Sequence, residues 1–258
     1  QVRLQTPMLF ALGFVAMFII GGLSGVMHSS PPADLQQTDT YFVVAHIHYV
    51  LFGGAIMGIF AGIYYWWPKM TGRLLNDRVG KWHFWLNFVG MNLAFFPMHF
   101  IGLLGMPRRI YTYSPELGLD TLNLVSTIGA YIIGFGMVVF MLNVWWSRKR
   151  GAVAGNDPWG APSLEWTISS PPPAYNFSVI PEVVSRLPRW SVTQMKAIPD
   201  LPPEPIHMPG GSYWPPIAAA GILVMAVGAV AHTLWVVLMG ASILVVSIYR
   251  WAFEPFEM

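Results

Sequence analysis

Four stretches without a single Asp, Glu, Lys or Arg set the limits on how this chain folds: Met8 to Met27, Tyr41 to Trp67, Trp82 to Met106 and Thr121 to Trp146. Each reaches the ~20 residues that a helix needs to cross a bilayer. Water does not tolerate that much continuous apolar surface, and inside lipid every backbone polar group must be paired within the structure. Four spanning helices are expected. A fifth uncharged run, Ser212 to Tyr249, is too long for one crossing and is expected to form two short helices that turn near Ala231 to Thr233. With 10% of residues charged, 55% hydrophobic and a mean hydropathy of +0.52, the chain is expected to be an all-α membrane protein, a polytopic transmembrane bundle. The apolar runs account for about six helices.

Basic residues set the orientation. Of the 14 Lys and Arg, 12 fall on one side of the expected spans, leaving only Arg108 and Arg109 on the other. Short basic flanks stay in the cytoplasm, so the first side and both termini are expected there. Between Ser147 and Gly211 lie 12 of the 22 prolines, which breaks any sustained helix. Three parts follow: a four-helix portion over 1–147, a Pro-rich cytoplasmic connector over 148–211 and a C-terminal hairpin over 212–258. Trp159, Trp166, Tyr175, Phe177 and Trp190 make the connector too aromatic for a free linker, and it is expected to lie against the membrane portion or a partner.

A net charge of only +2, with no long basic run, excludes nucleic acid as a partner. The absence of Cys removes disulfides, thiolate nucleophiles and iron–sulfur clusters, so the seven His carry most of the chemical information. Two of them, His46 and His48, stand inside the second uncharged run. Two positions apart on a helix point ~200° away from each other, so they cannot grip one ion together and must serve two sites. A neutral imidazole in hydrocarbon needs a partner for each nitrogen; haem iron can take one while a carbonyl or hydroxyl takes the other. Two haems, one per face, satisfy both residues. The plainer alternative has each ring hydrogen-bonding to a neighbouring helix.

The run Asp39-Thr40-Tyr41-Phe42-Val43-Val44-Ala45-His46-Ile47-His48-Tyr49 resembles the haem-ligating segment of haem–copper oxidase subunit I, the family of cytochrome c oxidase. The resemblance extends through Gly21 to Gly25, Tyr64 to Arg73, Asn92 to His99, Gly105 to Tyr113, Asp157 to Gly160 and Leu164 to Thr167. It implies that His46 is the catalytic, proximal ligand of the high-spin haem iron and that His48 is an axial ligand of the low-spin haem iron. Arg108 and Arg109 would bind haem propionates, a match of guanidinium to carboxylate. Asp34 would lie near a propionate and Asp39 would be a magnesium ligand, although Thr38 replaces the family's usual His. Asp39 could equally be a helix N-cap. Ile47 stands where the family usually has Phe.

By the same resemblance the four leading helices match the last four of the family's twelve, followed by a two-helix extension, so the chain would be a C-terminal half. The copper ligands, the Tyr linked to one of them and the second His of the low-spin haem would come from the N-terminal half. The implied activity is reduction of O2 to water with electrons from cytochrome c, coupled to proton pumping in a bacterial plasma membrane. The implied cofactors are two haems, of the a type, and the copper of the haem–copper centre; the implied partners are the N-terminal half, subunit II with its dinuclear copper, subunit III, cytochrome c and lipid. Asp39, Tyr41 and Tyr49 resemble the cytochrome c type more than a quinol oxidase, which is the nearest alternative. A noncatalytic transporter or scaffold is the alternative from another class. His28, His83 and His99 are expected to bond to backbone or a facing helix, and His207 and His232 to be solvated.

Overall fold

The computed structural model describes residues 2–183, 185–191 and 210–254. Helix α1 (Thr6–His28) is followed by a short α2 (Pro31–Gln37), and the His pair lies on α3 (Tyr41–His48). The chain then continues without a break through a π-helical segment (Tyr49–Ile56) into α4 (Met57–Thr71), giving one rod of 31 residues. Helices α5 (Asp77–Leu103) and α6 (Asp120–Arg150) complete the first bundle, and α7 (Trp214–Val230) and α8 (Leu234–Ala252) form a hairpin. Five of these rods are long and apolar enough to cross a membrane, and α7 is a shorter apolar helix. The hairpin turns at Ala231 to Thr233, with His232 in the left-handed region at φ 51°.

The chain divides into two compact units, one carrying α1 to α6 and the other the hairpin. In the first, polar side chains share the interior with an apolar core, while many large apolar residues face outward. Ser24, His83, Asn87, Ser126, Asn143 and Ser147 are buried, while Phe18, Ile19, Leu23, Leu51, Phe100, Leu124 and Phe135 are exposed. Lipid gives no hydrophobic reward for burying apolar side chains, so helices hold together by close backbone approach and polar bonds. Both devices are present. A Cβ on Gly129 would overlap the backbone of Ala94, which brings α6 onto α5, and one on Gly102 would overlap the backbone N of Phe42, which brings α5 onto the His helix. Asn143 accepts from the backbone N of Asn76 at 3.1 Å and from Ser147 Oγ at 3.0 Å, while Tyr64 OH and His83 Nδ1 lie 3.1 Å apart.

The π segment is a departure from the single regular helix expected over Tyr41 to Trp67. It coincides with a close crossing: a Cβ on Gly53 would stand 2.5 Å from Met17 Cβ. A wider turn lets the rod accommodate α1 directly after His48, a placement common for π-helical insertions beside functional residues.

Residues after α6 fold back on the end of α4. Lys69 Nζ donates to the carbonyls of Asn156, Ile168 and Ser169 at 3.2, 2.8 and 3.1 Å, and lies 5.1 Å from the Trp166 ring. Trp159 Nε1 donates to Tyr65 O at 2.8 Å, Trp166 Nε1 donates to Tyr65 OH at 3.1 Å, and Arg189 pairs with Asp157. Within the second unit, Arg250 lies 5.7 Å from the Trp214 ring, and the glycines Gly221, Gly228 and Gly240 bring the two hairpin helices into backbone contact.

Candidate functional site

The two imidazoles of α3 leave it toward different neighbours. His46 lies against α1, where its Nδ1 is 3.0 Å from Gly21 O and 2.9 Å from Ser24 Oγ. A carbonyl only accepts, so Nδ1 carries the proton and donates to Gly21 O. Ser24 Oγ gives its own proton to the same carbonyl at 2.9 Å, which leaves the hydroxyl oxygen free to accept from the imidazole. His48 is bonded within its own helix, its Nδ1 donating to Val44 O at 2.7 Å, and its ring stacks on Phe95 of α5 with centroids 4.0 Å apart at 12°.

Both rings therefore hold their proton on Nδ1 and keep an unprotonated Nε2. That is the nitrogen that binds a metal, and a fixed Nδ1–H to a carbonyl is how a protein orients and strengthens such a ligand. The donor set fits two separate haem irons, one per ring. It does not fit one shared ion: among the described residues no three His, Asp or Glu side chains converge on a common point.

The cradle of His46 is made by small residues. A Cβ on Gly25 would stand 3.0 Å from His46 Cε1, so the ring occupies the room that a side chain there would take. Gly21, Ser24 and Gly25 follow the spacing of one helix face and were legible in the sequence only as part of a resemblance; their function as a seat for His46 depends on the crossing of α1 and α3. Phe95 likewise lies within a segment of that resemblance, Asn92 to His99, and its role rests on its stack against His48.

At the N-terminal end of α3 the chain after α5 pairs with the approach to the His helix. Tyr41 N donates to Met106 O at 3.0 Å, and Arg108 N donates to Asp39 O at 2.9 Å. The N-cap is Thr40, whose hydroxyl accepts from Phe42 N at 3.1 Å, so the reading of Asp39 as N-cap is corrected. Asp39 sits in the left-handed region at φ 58°, which turns its carboxylate to Arg108: Oδ1 accepts from Nε at 2.8 Å and from Nη2 at 2.6 Å.

The structure thereby separates the two adjacent arginines. Arg108 is half-buried and committed to Asp39, whereas Arg109 is exposed, is held at φ 66° and makes no salt bridge among the described residues. A non-Gly residue in that region carries backbone strain, which recurs at ligand clamps. Asp34 lies on α2, with Oδ1 3.5 Å from His28 Nδ1, and Thr38 is the C-cap of the same helix.

The remaining His divide. His99 is buried and bonds to Phe96 O at 3.2 Å, and His83 meets Tyr64 OH, as expected of structural residues. His28 departs from that expectation, since neither ring nitrogen has a hydrogen-bond partner although both are buried. His232 is exposed at the hairpin turn, and His207 lies outside the described residues.

The family model described as Cytochrome C and Quinol oxidase polypeptide I matches residues 1–132. The cytochrome c oxidase subunit 1 of Bacillus subtilis (strain 168) is 47% identical over 232 residues, which is 88% of this chain and 37% of its own length. That of Thermostichus vulcanus is 51% identical over 183 residues, 71% of this chain and 33% of its own length. The quinol oxidase subunit 1 of Bacillus spizizenii is 42% identical over 245 residues, 93% of this chain and 38% of its own length. The chain thus spans little more than a third of the relatives it matches, and it belongs to the cytochrome c and quinol oxidase polypeptide I family.

Proposed function

We propose that this chain is the C-terminal, haem-holding portion of subunit I of a bacterial terminal oxidase that reduces O2 to water with electrons from cytochrome c and pumps protons. His46 and His48 each give one Nε2 to a separate haem. The observation that carries this reading is the shared state of the two rings: each Nδ1 is tied to a carbonyl, so each Nε2 is free for iron. When bound, the two haems supply electron transfer and the iron at which oxygen is reduced.

The residues of this chain hold and orient. Gly21, Ser24 and Gly25 fix the His46 ring against α1, and Phe95 fixes the His48 ring against α5. One helix thereby sets the spacing between electron donor and acceptor. Arg109, which makes no salt bridge among the described residues, offers its guanidinium to a haem propionate, with Asp34 of α2 and the Arg108–Asp39 pair as further charges of the segments before α3 and after α5. A magnesium ion at Asp39 would compete with Arg108 for one carboxylate oxygen, and Thr38 brings no imidazole to the contest.

The copper ligands and a second His toward the low-spin haem would come from an N-terminal half, with His46 and His48 supplying this chain's share of the haem ligands. Subunits II and III and cytochrome c complete the proposed assembly, with the basic side of the chain in the cytoplasm. The relative named quinol oxidase subunit 1 supports a second reading, in which membrane quinol is the donor. Oxygen uptake by the purified complex separates them. Turnover with reduced cytochrome c but not with ubiquinol or menaquinol analogues is expected; the converse would replace the donor, and a complex without haem bands would contradict both readings.

A further inference from the structure

Where α5 begins and α6 ends, two cavities lie side by side and share Asn76 and Trp146 as a common wall. One, of about 480 Å³, is walled by Val79 of α5 and by Val139, Leu142, Trp145 and Trp146 of α6. The other, of about 390 Å³, is bordered by Asp77, Arg78, Ser147 and Arg150. The ground between them is fixed: Asn76 N donates to Asn143 Oδ1 at 3.1 Å and to Ser147 Oγ at 3.2 Å, and Asn143 Nδ2 donates back to Asn76 O at 3.1 Å. The charge here is one-sided. Asp77 Oδ1 accepts from Thr6 N and Thr6 Oγ at 2.8 and 2.9 Å, and Oδ2 is paired with Lys81 at 2.9 Å. Arg78 and Arg150 are exposed and make no salt bridge among the described residues. The Arg150 guanidinium lies 4.4 Å from the centroid of the Trp146 ring, which sets the cation at the boundary of the two cavities.

We infer that these paired cavities form a site for one anionic phospholipid of the leaflet on the basic side of the chain, with its phosphate against Arg78 and Arg150 and an acyl chain in the apolar cavity. The order of residues along α6 carries the inference. Val139, Leu142, Trp146 and Arg150 follow one another at the spacing of a single helix face, so that face runs from aliphatic to indole to guanidinium. A lipid presents the same order from its chain through the interface, where Trp gathers, to its head group. Guanidinium groups form charge-assisted bonds with phosphate oxygens, and basic pockets between spanning helices take anionic head groups. A soluble anion would use the arginines and leave the apolar cavity unfilled, and a zwitterionic head group would bring its own cation toward them. Arg148 and Lys149, though adjacent in sequence, border neither cavity.

The test uses the purified complex in phosphatidylcholine vesicles that carry a trace of either phosphatidylglycerol or phosphatidylcholine with a photoactivatable group on the acyl chain. Cross-links are mapped by peptide mass spectrometry. In the wild type, labelling between Val139 and Trp146 is expected to be severalfold higher with the phosphatidylglycerol probe; equal labelling by the two probes, or none by either because another chain covers this face, would overturn the site. That comparison needs no variant. Replacing Arg78→Gln and Arg150→Gln together is expected to abolish the preference, whereas Arg148→Gln with Lys149→Gln removes as much charge from the same end of α6 and is expected to keep it. Equal losses in the two double variants would reduce the effect to the general attraction of a basic surface and overturn the inference. Val139→Trp fills the apolar cavity without changing charge and is expected to lower labelling severalfold; unchanged labelling would overturn the placement of the acyl chain. Excess glycerol phosphate at constant ionic strength is expected to leave wild-type labelling in place, and displacement of the lipid by it would assign the arginines to a soluble anion instead.

Discussion

His46 and His48 stand two residues apart on one helix, yet the Nδ1 of His46 is tied to Gly21 O of another helix at 3.0 Å and that of His48 to Val44 O of its own at 2.7 Å. The orientation of His46 therefore depends on how α1 sits, whereas the His48 hydrogen bond travels with its own helix. Perturbations of α1 should reach the His46 site alone.

Gly25→Ala places a methyl 3.0 Å from His46 Cε1, while a Cβ on the neighbouring Gly22 meets nothing within 4 Å. G25A is expected to lower high-spin haem content or CO binding severalfold with the low-spin bands retained. G22A is expected to match wild type. Reduced-minus-oxidised and CO-difference spectra of the two purified complexes make the comparison, and equal losses in both would show that the seat at Gly25 has no special role.

Ser24→Ala removes the hydroxyl shared between His46 Nδ1 and Gly21 O. The Nδ1–Gly21 bond remains, so the expected cost is about 1 kcal/mol, with full haem content. The iron–histidine stretch should move, because the imidazole loses one of the two acceptors that polarise it. An unmoved band would mean that Gly21 alone sets the basicity of the ligand.

The Arg108–Asp39 pair has a carboxylate side chain that is 72% exposed. Exposed pairs contribute little, on the order of 0.2–1 kcal/mol. A double-mutant cycle of R108Q and D39N, followed by thermal unfolding of the complex, is expected to give a coupling within that range. A much larger coupling would show that the pair is buried in the assembled enzyme.

Lys69→Met leaves the carbonyls of Asn156, Ile168 and Ser169 without their shared donor. The loss should cost roughly 3 kcal/mol and free the chain after α6 from the end of α4. Limited proteolysis between Gly151 and Pro173 is expected to quicken by an order of magnitude or more, with haem spectra unchanged. Cleavage at the wild-type rate would assign the anchoring to Trp159 and Trp166 instead.

The spanning helices were legible because bilayer thickness turns an uncharged run into a length measurement. The divergence of His46 and His48 followed from helical pitch alone. Other features depend on contacts distant in sequence. The π segment arises where Gly53 meets Met17, and the capping role passes to Thr40 because Asp39 turns to reach Arg108. His28 read as an ordinary structural histidine because only the crossing of α1 and α3 reveals that its nitrogens go unpaired.

Optical spectra of His46→Ala and His48→Ala complexes test the two-site account most directly. H46A is expected to lose CO and oxygen reactivity while keeping the low-spin bands, and H48A to lose the low-spin bands while keeping a CO-reactive high-spin haem. Identical spectra from the two variants would contradict separate irons on one helix.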